Sequence, residues 1–275
     1  MWAVVNPFNP AAALLVLNYP IPPSHPRYGS LVVREKLVVA AQEGLVAWEG
    51  LVAHGRGEAF DYLLGERTVP EAKVAAQAAA AYLLRAQRPV LSVNGNVAVL
   101  AAEEVRELAK ATGARVEVNV FHRTKARVDA LVARLEERGI PEVLGRDPDA
   151  SLPGLDHPRA LCSREGLYGS DVVLVPLEDG DRAEALVGMH KTVLSIDLNP
   201  LSRTSRAATV AIVDEVVRAL QIMVAFAREV KGRAKEVEAA QRAYEKQANL
   251  RGVLEAIRKH LEAQTGTGKK VGDNV

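Results

Sequence analysis

The stretch DVVLVPLEDGDRAEALVGMHKTVLSID, residues 171–197, decides the fold class of this chain. Two short apolar runs, Asp171–Pro176 and Thr192–Ile196, flank a segment with a helical pattern, Asp181–Met189. Uninterrupted runs of Val, Leu and Ile are typical of strands in a parallel sheet, because helices cover both faces of such a sheet. The stretch therefore predicts one β-α-β unit.

The same alternation of short apolar runs and longer helical segments continues on both sides of this unit. Further strands are predicted at Pro89–Val93, Arg115–Val120 and Thr209–Val213. Helices are predicted at Leu31–Gln42, Pro70–Arg88, Ala98–Thr112 and Thr124–Arg138, with a long one starting at Asp214. Repeated units of this kind predict an α/β protein with a doubly wound, mainly parallel sheet and flanking helices.

Four regions are expected along the chain. They are an N-terminal extension (1–20), an α/β catalytic domain (21–228), an amphipathic helical extension (229–263) and a disordered tail (264–275). In the C-terminal helical extension Val230, Val237 and Tyr244 are seven residues apart, and the register slips near Gly252. This spacing is typical of a long amphipathic helix or a broken pair, packed on the body of the protein or on a partner.

Composition argues against several classes of function. The 275 residues include 35 Lys and Arg against 34 Asp and Glu, so bulk charge does not recruit nucleic acid. No apolar run reaches the roughly 18 residues of a transmembrane helix, and no basic residue precedes the apolar run at 11–17, as a secretory signal would require. The single cysteine, Cys162, fits a reducing, cytoplasmic setting. The six histidines show no ligand spacing, which argues against a dedicated transition-metal site.

Polar residues follow the predicted strands at the place where doubly wound sheets bind ligands, beyond the carboxyl ends. They are Asn94-Gly95-Asn96, Asn119, Glu178–Asp181 and Asp197–Asn199. The carboxamides of the first group could orient a carboxylate or hydroxyl substrate, but a structural turn explains them equally well. Glu178–Asp181 could hold Mg²⁺ through hard oxygen ligands, or Asp179 or Asp181 could simply cap the next helix.

The motif His54-Gly-Arg-Gly57 has a pattern suited to an anionic ligand. Its glycines would let a ligand approach the backbone at the N-terminus of a helix, where free N–H groups attract phosphate. Arg56 would add a forked, permanent positive charge. The alternative is a tight turn in which Arg56 pairs with Glu58 or Asp61 at the surface.

The segment from Asp197 to Thr204 follows a predicted strand and could contact a nucleotide. Asp197 or Asn199 could hydrogen-bond a ribose or an adenine edge. Ser202, Arg203 and Thr204 could meet phosphates, unless Arg203 and Arg206 are solvated surface charges. Two known phosphate-binding patterns are absent. Residues 266–270, GTGKK, lack the first glycine and the final Ser or Thr of a P-loop, and no segment has the GxGxxG dinucleotide pattern.

Seven segments of the chain resemble one family closely. They are IPPSHPRYGSL (21–31), AHGRGEAFDYLLGE (53–66), PVLSVNGN (89–96), EVNVFHRT (117–124), VLGRDPDA (143–150), DVVLVPLEDGDRAEALV (171–187) and VLSIDLNPLSRTSRAATVAIVD (193–214). The family is the archaeal 4-phosphopantoate–β-alanine ligase, also called phosphopantothenate synthetase. The resemblance covers roughly residues 21–228 and does not reach the first 20 residues or the C-terminal helical extension.

The resemblance implies a Rossmann-like subunit that works as a homodimer. It implies a reaction in which 4-phosphopantoate and β-alanine are joined while ATP is split to AMP and pyrophosphate through an acyl-adenylate, on the route to coenzyme A. Mg²⁺ is expected to accompany ATP, with its protein ligands left open. The alternatives are a nicotinamide-dependent dehydrogenase and a non-catalytic adenylate sensor.

Three sets of site residues are expected. The ATP contacts implied by the resemblance are Arg34, Arg56, Asp197, Leu198, Asn199, Arg203, Thr204, Asp214 and Glu215. Where this chain has Glu215, the family pattern has Asn, so a side-chain contact there is in doubt. The expected catalytic residues are His54, Arg56 and Asn94. The expected substrate-binding residues are Gly55, Gly57, Asn94, Gly95, Asn96 and Asn119.

Overall fold

The computed structural model describes residues 21–265. The predicted N-terminal extension and all but the first two residues of the predicted disordered tail lie outside this range. The strands of the described part are β1 (Pro89–Val93), β2 (Arg115–Val118), β3 (Ala150–Ser151), β4 (Leu161–Cys162), β5 (Val172–Pro176), β6 (Thr192–Ile196) and β7 (Val210–Ile212). Five of them form one parallel sheet in the order β2-β1-β5-β6-β7, and the two short strands β3 and β4 pair antiparallel.

Eleven α-helices connect and cover these strands between residues 21 and 265. They are α1 (Tyr28–Gln42), α2 (Trp48–Leu64), α3 (Pro70–Arg85), α4 (Gly95–Leu100), α5 (Ala102–Thr112), α6 (Lys125–Glu137), α7 (Gly180–Gly188), α8 (Arg203–Ala207), α9 (Val216–Glu229), α10 (Ala234–Arg242) and α11 (Lys246–Thr265). The predicted strands agree with the five strands of the parallel sheet to within two residues at each end. The Rossmann-like α/β prediction, including its C-terminal helices, is confirmed.

Both faces of the sheet are buried. Along β5, Val172 and Leu174 pack on one side, Val173 and Val175 pack on the other, and all four are buried. Helices α3, α5 and α9 contact one another on the first side, while α7 and α8 contact β6 on the second. The uninterrupted apolar run of this strand follows from this double coverage.

Helix α4 begins three residues earlier than predicted. Its cap is Asn94, whose side-chain oxygen accepts a hydrogen bond from the Val97 amide at 3.1 Å. The predicted single helix is also interrupted at Ala101, where φ and ψ of −135° and 24° separate α4 from α5. The Asn94-Gly95-Asn96 turn is therefore the start of a helix that directly follows β1.

The C-terminal helices pack on the body of the same chain. Val230 and Val237 are buried against Ala81 of α3, which accounts for their heptad spacing without a second subunit. The Tyr244 hydroxyl accepts a hydrogen bond at 2.9 Å from the amide of Ala211 in the edge strand β7. Of the two predicted alternatives the structure has the broken pair, since α10 and α11 are separated at residues 243–245, and α11 continues through Gly252, where the register slips.

No helix within residues 21–265 combines the length and apolar character needed to cross a bilayer.

Candidate active site

The order of the strands reverses direction between β1 and β5. From β1 the chain proceeds to β2 on one side, whereas β5 leads to β6 and β7 on the other. Ligands of such sheets bind at this switch point, beyond the carboxyl ends of the strands. Asn94 ties the two strands together here, because its side-chain nitrogen donates to the carbonyls of Pro176 and Leu177, both at 3.1 Å.

A crevice opens beside this switch point, and we call it the α2 pocket. Its walls come from helix α2, the start of α4, the turns after β5 and β6, and the start of α9. The fold brings eight of the predicted site residues to these walls: His54, Arg56, Gly57, Asn96, Asp197, Leu198, Asn199 and Glu215. They come from four separate segments, so only the tertiary fold makes them neighbours.

The HGRG motif, residues 54–57, lies inside helix α2 and not at its start. Helix α2 runs from Trp48 to Leu64, so the motif begins six residues after the first helical residue. Backbone N–H groups in a helix interior donate to carbonyls four residues earlier and are not free for a ligand. The prediction that helix-start N–H groups bind phosphate at this motif is therefore wrong, and side chains must supply any anion contact.

Arg56 is exposed and lines the α2 pocket without an ion pair or hydrogen bond to any residue from 21 to 265. Both carboxylates proposed as its surface partners are occupied elsewhere. Glu58 pairs with Arg34 at an N–O distance of 2.8 Å, and Asp61 pairs with Arg218 at 2.6 Å. The alternative in which Arg56 pairs with Glu58 or Asp61 is wrong.

The turn after β6 presents Asp197 and Asn199 to the pocket. The Asp197 carboxylate accepts from the Asn199 amide at 3.0 Å, and the Asn199 side chain accepts from the Leu201 amide at 2.9 Å. Burial raises the pKa of Asp197, while the positive charge of Arg56 opposes that rise. The guanidinium of Arg56 therefore lies close enough to lower the pKa of the Asp197 carboxyl, although the two side chains form no ion pair.

At the start of α9, Asp214 and Glu215 have different surroundings. Glu215 lines the pocket, and its carboxylate caps α9 by accepting from the amides of Val217 and Arg218, both at 3.0 Å. Asp214 is 1% exposed and binds Arg218 and Thr68 instead. Helix α9 begins at Val216, two residues after the predicted start.

The remaining predicted site residues do not line the α2 pocket. They are Arg34, Gly55, Asn94, Gly95, Asn119, Arg203, Thr204 and Asp214. Arg203 is exposed and pairs with Glu184 at 2.6 Å. The Thr204 hydroxyl donates to the Glu178 carbonyl at 2.8 Å and so joins α8 to the end of β5. These two side chains flank the site without facing it.

A second cavity adjoins the α2 pocket, and we call it the arginine cavity. Arg127 and Arg159 line it with His122. Ala53, Leu177 and Asp179 line both spaces. The buried Asn119 side chain donates to the carbonyls of Arg159 and Leu161, at 3.2 and 2.9 Å, and so holds the segment that carries Arg159.

Sequence reasoning missed both arginines of this cavity. Arg127 lies in the first turn of α6 and Arg159 in a short 3₁₀ turn, Pro158–Ala160, so neither directly follows a strand of the parallel sheet. The one signal near them was the EVNVFHRT segment, residues 117–124, which ends immediately before α6.

The His54 imidazole is partly buried in the wall of the α2 pocket. Its Nε2 atom is buried and has no hydrogen-bond partner within residues 21–265. Burial lowers the pKa of His54, and nearby Glu58 only partly opposes this effect. The lowered pKa favours the neutral imidazole at neutral pH.

The family of the chain follows from comparison with known proteins. Residues 71–260 match the family model described as phosphopantothenate/pantothenate synthetase. The chain belongs to this family. The family match continues through most of α11, so the expectation that the resemblance stops near residue 228 is wrong.

Proteins similar to this chain carry one name, 4-phosphopantoate–β-alanine ligase. The relative from Methanosarcina mazei is 52% identical over 250 residues, which are 90% of this chain and 98% of the relative. The relative from Methanospirillum hungatei is 53% identical over 88% of this chain and 98% of its own length. The relative from Thermococcus onnurineus is 54% identical over 77% of this chain and 81% of its own length.

The described residues hold no cluster of three or more His, Cys, Asp or Glu side chains that could bind a metal by itself. Glu178, part of the predicted Mg²⁺ segment, is held by Arg159 and Arg182. Asp181 contacts His157 at 3.0 Å. Of the acidic side chains in that segment, Asp179 is the half-exposed one that faces both the α2 pocket and the arginine cavity.

Proposed function

We propose that this phosphopantothenate/pantothenate synthetase family member is an ATP-dependent ligase. It joins 4-phosphopantoate to β-alanine and releases AMP and pyrophosphate, on the route to coenzyme A. Family membership and the shared name of its relatives support the ligation. The structural observation that carries the ATP-dependent part is Arg56, which lines the pocket at the switch point of the sheet and pairs with no residue from 21 to 265.

The first chemical step activates the substrate carboxylate, which is a poor acylating agent. A carboxylate oxygen of 4-phosphopantoate attacks the α-phosphorus of ATP, and the bond from that phosphorus to the bridging oxygen breaks. Pyrophosphate leaves, and the acyl-adenylate remains. Negative charge develops on the oxygens of the α-phosphate, and we assign its neutralisation to the guanidinium of Arg56, which lines the α2 pocket. Positioning of the two anions supplies the rest of the catalysis.

In the second step the amine of β-alanine attacks the acyl carbon and AMP leaves. The amine must first lose a proton, because at neutral pH β-alanine carries an ammonium group. We assign His54 as the acceptor, since its neutral Nε2 has no other partner in the described chain. Asn94, expected to be catalytic, acts by joining β1 to β5 at the floor of the site.

We place the nucleotide in the α2 pocket, with its ribose or adenine edge on the turn formed by Asp197, Leu198 and Asn199. These groups combine the Asp197 carboxylate, an acceptor, with the Asn199 side-chain nitrogen, a donor that bonds to no residue from 21 to 265. Arg34 and Arg203 lie outside the pocket wall, and each now pairs with a glutamate. In this proposal they exchange those glutamates for phosphate oxygens when ATP binds.

Mg²⁺ fits this site only as a companion of the nucleotide. The ion usually keeps several waters and takes one or two carboxylates together with substrate phosphates, so a three-carboxylate cluster is not needed. Asp179 is the carboxylate that would hold it, since it is half-exposed beside the pocket. Bound Mg²⁺ would help neutralise the phosphates and the pyrophosphate leaving group.

We further propose that the protein is a cytoplasmic homodimer. The single, buried Cys162 is compatible with a reducing compartment. Trp48 and Val52, one turn apart on α2, are 64% and 73% exposed, which is unusual for large apolar side chains unless another surface covers them. Light scattering at micromolar concentration should give twice the mass of the 275-residue chain, also after removal of residues 264–275.

The reaction is tested by the identity of the nucleotide product. Purified protein should release AMP and pyrophosphate at steady state only when ATP, 4-phosphopantoate and β-alanine are all present. Formation of ADP and phosphate would instead indicate an acyl-phosphate intermediate and refute adenylation. Binding of ATP without turnover under any combination of substrates would support the adenylate-sensor alternative.

A further inference from the structure

We infer that helix α11 positions the wall of the α2 pocket, and that Val253 of this helix acts on the bound nucleotide through Leu198. The inference rests on the proposed placement of ATP in the α2 pocket. It gives a role in the reaction to the C-terminal helix, which lines neither that pocket nor the arginine cavity.

Helix α11 buries one of its faces in the body of the protein. Leu250, Val253 and Ile257 follow one another at spacings of three and four residues, which places them on the same side of the helix. Val253 is 0% exposed, Leu250 is buried and Ile257 is partly buried. The three side chains pack with residues of α2, α3 and the edge strand β7, so the helix is part of the core at this edge of the sheet.

The apolar cluster that contains Val253 reaches the wall of the α2 pocket. It includes Leu198 from the turn after β6, Leu64 at the end of α2 and Val213 directly after β7. Phe60 of α2 packs against the same cluster. Because Leu198 and Phe60 also line the α2 pocket, the cluster that α11 completes is part of the pocket wall.

Leu198 joins this cluster to the HGRG motif of α2. A Cβ atom added at Gly57 would lie 3.5 Å from Cδ1 of Leu198, so the leucine side chain packs directly against that turn of the helix. Leu198 is buried and lies between Asp197 and Asn199, the two side chains that we place against the nucleotide. A shift of Leu198 would therefore move the nucleotide contacts relative to the helix that carries Arg56.

Further contacts fix the position of α11 against α2 and α3. The side-chain nitrogen of the buried Asn249 donates to the Glu71 carbonyl at 2.8 Å. A Cβ atom at Gly252 would lie 2.7 Å from Cγ of Glu71, so a larger residue there would displace the glutamate side chain. The His260 ring lies against Gly65, where a Cβ atom would come within 3.0 Å of it and where α2 ends with a φ of 83°. These contacts hold α11 in one register beside the end of α2.

A cavity under α11 should affect the pocket because the cluster between them is close-packed. Shortening a fully buried valine to alanine leaves a void that the neighbouring side chains fill only in part. Here those neighbours belong to the cluster that includes the pocket wall. ATP must then restore the wall when it binds, so its affinity falls while turnover of the bound nucleotide changes less.

The test compares Val253→Ala with Val237→Ala, the same substitution in helix α10. Val237 is also buried, but it packs on Ala81 of α3 in a different cluster that does not include the pocket wall. Both variants should lose stability in thermal unfolding. Val253→Ala should in addition raise the KM for ATP about three- to tenfold, since small misplacements of oriented groups are costly. Its kcat at saturating ATP and its KM for β-alanine should stay close to wild type, and Val237→Ala should keep all three kinetic constants.

Binding of ATP without turnover separates this inference from the proposed reaction. Calorimetry with ATP alone should give a higher Kd for Val253→Ala and a wild-type Kd for Val237→Ala. Ile257→Ala changes a partly buried position, so it should keep more stability and raise the Kd less, in the same direction. If wild type bound ATP but failed to ligate the two substrates, and Val253→Ala weakened that binding, the proposed function would fail and the role of α11 would stand.

Three results would overturn the inference. Equal affinity for ATP in wild type and folded Val253→Ala would refute it and leave the proposed ligation intact. Equal weakening in Val253→Ala and Val237→Ala would mean that general loss of stability controls the affinity, and it would refute the role of α11 as well. If Val253→Ala did not fold, wild-type affinity in Ile257→Ala would decide against the inference. Absence of ATP binding by wild type would refute both the placement of ATP and the role of α11.

Discussion

Two sets of arginines lie near the carboxyl ends of the strands, and they differ in whether a carboxylate neutralises them. Arg218 lies between Asp61 and Asp214, at N–O distances of 2.6 and 2.8 Å. Arg56 and Arg127 form no ion pair within residues 21–265. The first set holds elements of the fold together, because Asp61 belongs to α2 and Arg218 to α9.

The difference separates structural from functional cations. A buried cation with its carboxylates in place is already satisfied and has nothing to offer a ligand. A cation without one keeps its donors for an anion that arrives from solution. Arginines whose carboxylate partners are buried should therefore affect stability when mutated, and arginines without an ion pair among the described residues should affect substrate affinity or turnover.

The largest expected effect is on stability, in Arg218→Ala. Removing the arginine leaves Asp61 and the buried Asp214 without their cation, which should cost about 3 kcal/mol of unfolding free energy. Urea or thermal unfolding measures this cost. Arg228→Ala on the same helix is the matched control, because its pair with Glu107 leaves the arginine 56% exposed and is worth about 0–1 kcal/mol. Equal stability of the two variants would remove the distinction between the two sets.

The opposite case, a buried carboxylate without an ion pair in the described chain, sharpens the comparison, and Glu117 is such a carboxylate. It is 0% exposed, forms no ion pair in the described chain and accepts from the amides of Ser163 and Leu167. Burial raises the pKa of Glu117 to about 7. Since the folded pKa lies above the unfolded one, its contribution is fully present below about pH 4.5 and is lost as the pH rises through about 7.

Glu117→Gln should therefore gain stability relative to wild type as the pH rises. The difference in unfolding free energy should change by about 3 kcal/mol between roughly pH 4 and 8, because one pKa unit corresponds to about 1.4 kcal/mol. Denaturant unfolding at several pH values measures it. A pH-independent difference would mean that the pKa of Glu117 is the same in the folded and unfolded states, so that the two backbone donors offset the effect of burial.

Arg56 tests the unpaired set directly. Arg56→Ala and Arg56→Lys should both melt within a few degrees of wild type, because neither removes an ion pair or hydrogen bond to a residue from 21 to 265. Both should lose about 10- to 150-fold in kcat/KM, since each charge-assisted contact is worth roughly 1.5–3 kcal/mol and lysine lacks the planar fork. Normal kinetics in Arg56→Ala would place this arginine outside the reaction.

The smallest effect is expected at Arg203, which has an ion-pair partner like the first set but is proposed to bind phosphate like the second. Both side chains of its ion pair with Glu184 are exposed, so Arg203→Ala should leave the melting temperature unchanged. If Arg203 moves to the ATP phosphates, the KM for ATP should rise severalfold and the KM for β-alanine should not. Equal KM values for ATP in wild type and variant would remove Arg203 from the nucleotide site.

Much of the fold followed from the order of residues along the chain. Apolar runs such as Thr192–Ile196 are local patterns, and their burial on both faces is the general consequence of a parallel sheet. The same rule predicts a ligand site beyond Asn94 and Asp197, the edge of the sheet at which the structure has the α2 pocket. Helix α2 was harder to predict, because Gly55 and Gly57 are typical of turns and the packed surroundings override that preference.

The sequence by itself determined the α/β class, the strand positions and the segments that meet at the carboxyl edge, because short-range apolar patterns encode them. Only the tertiary structure decided which charges are free. Arg218 and Asp61 are 157 residues apart, and Arg34 and Glu58 are 24 apart, so no local pattern reveals that these pairs form. The carboxylates of these pairs, Asp61 and Glu58, are the two that the sequence suggested as partners of Arg56. Because packing joins them to other arginines, Arg56 keeps its donors for a ligand.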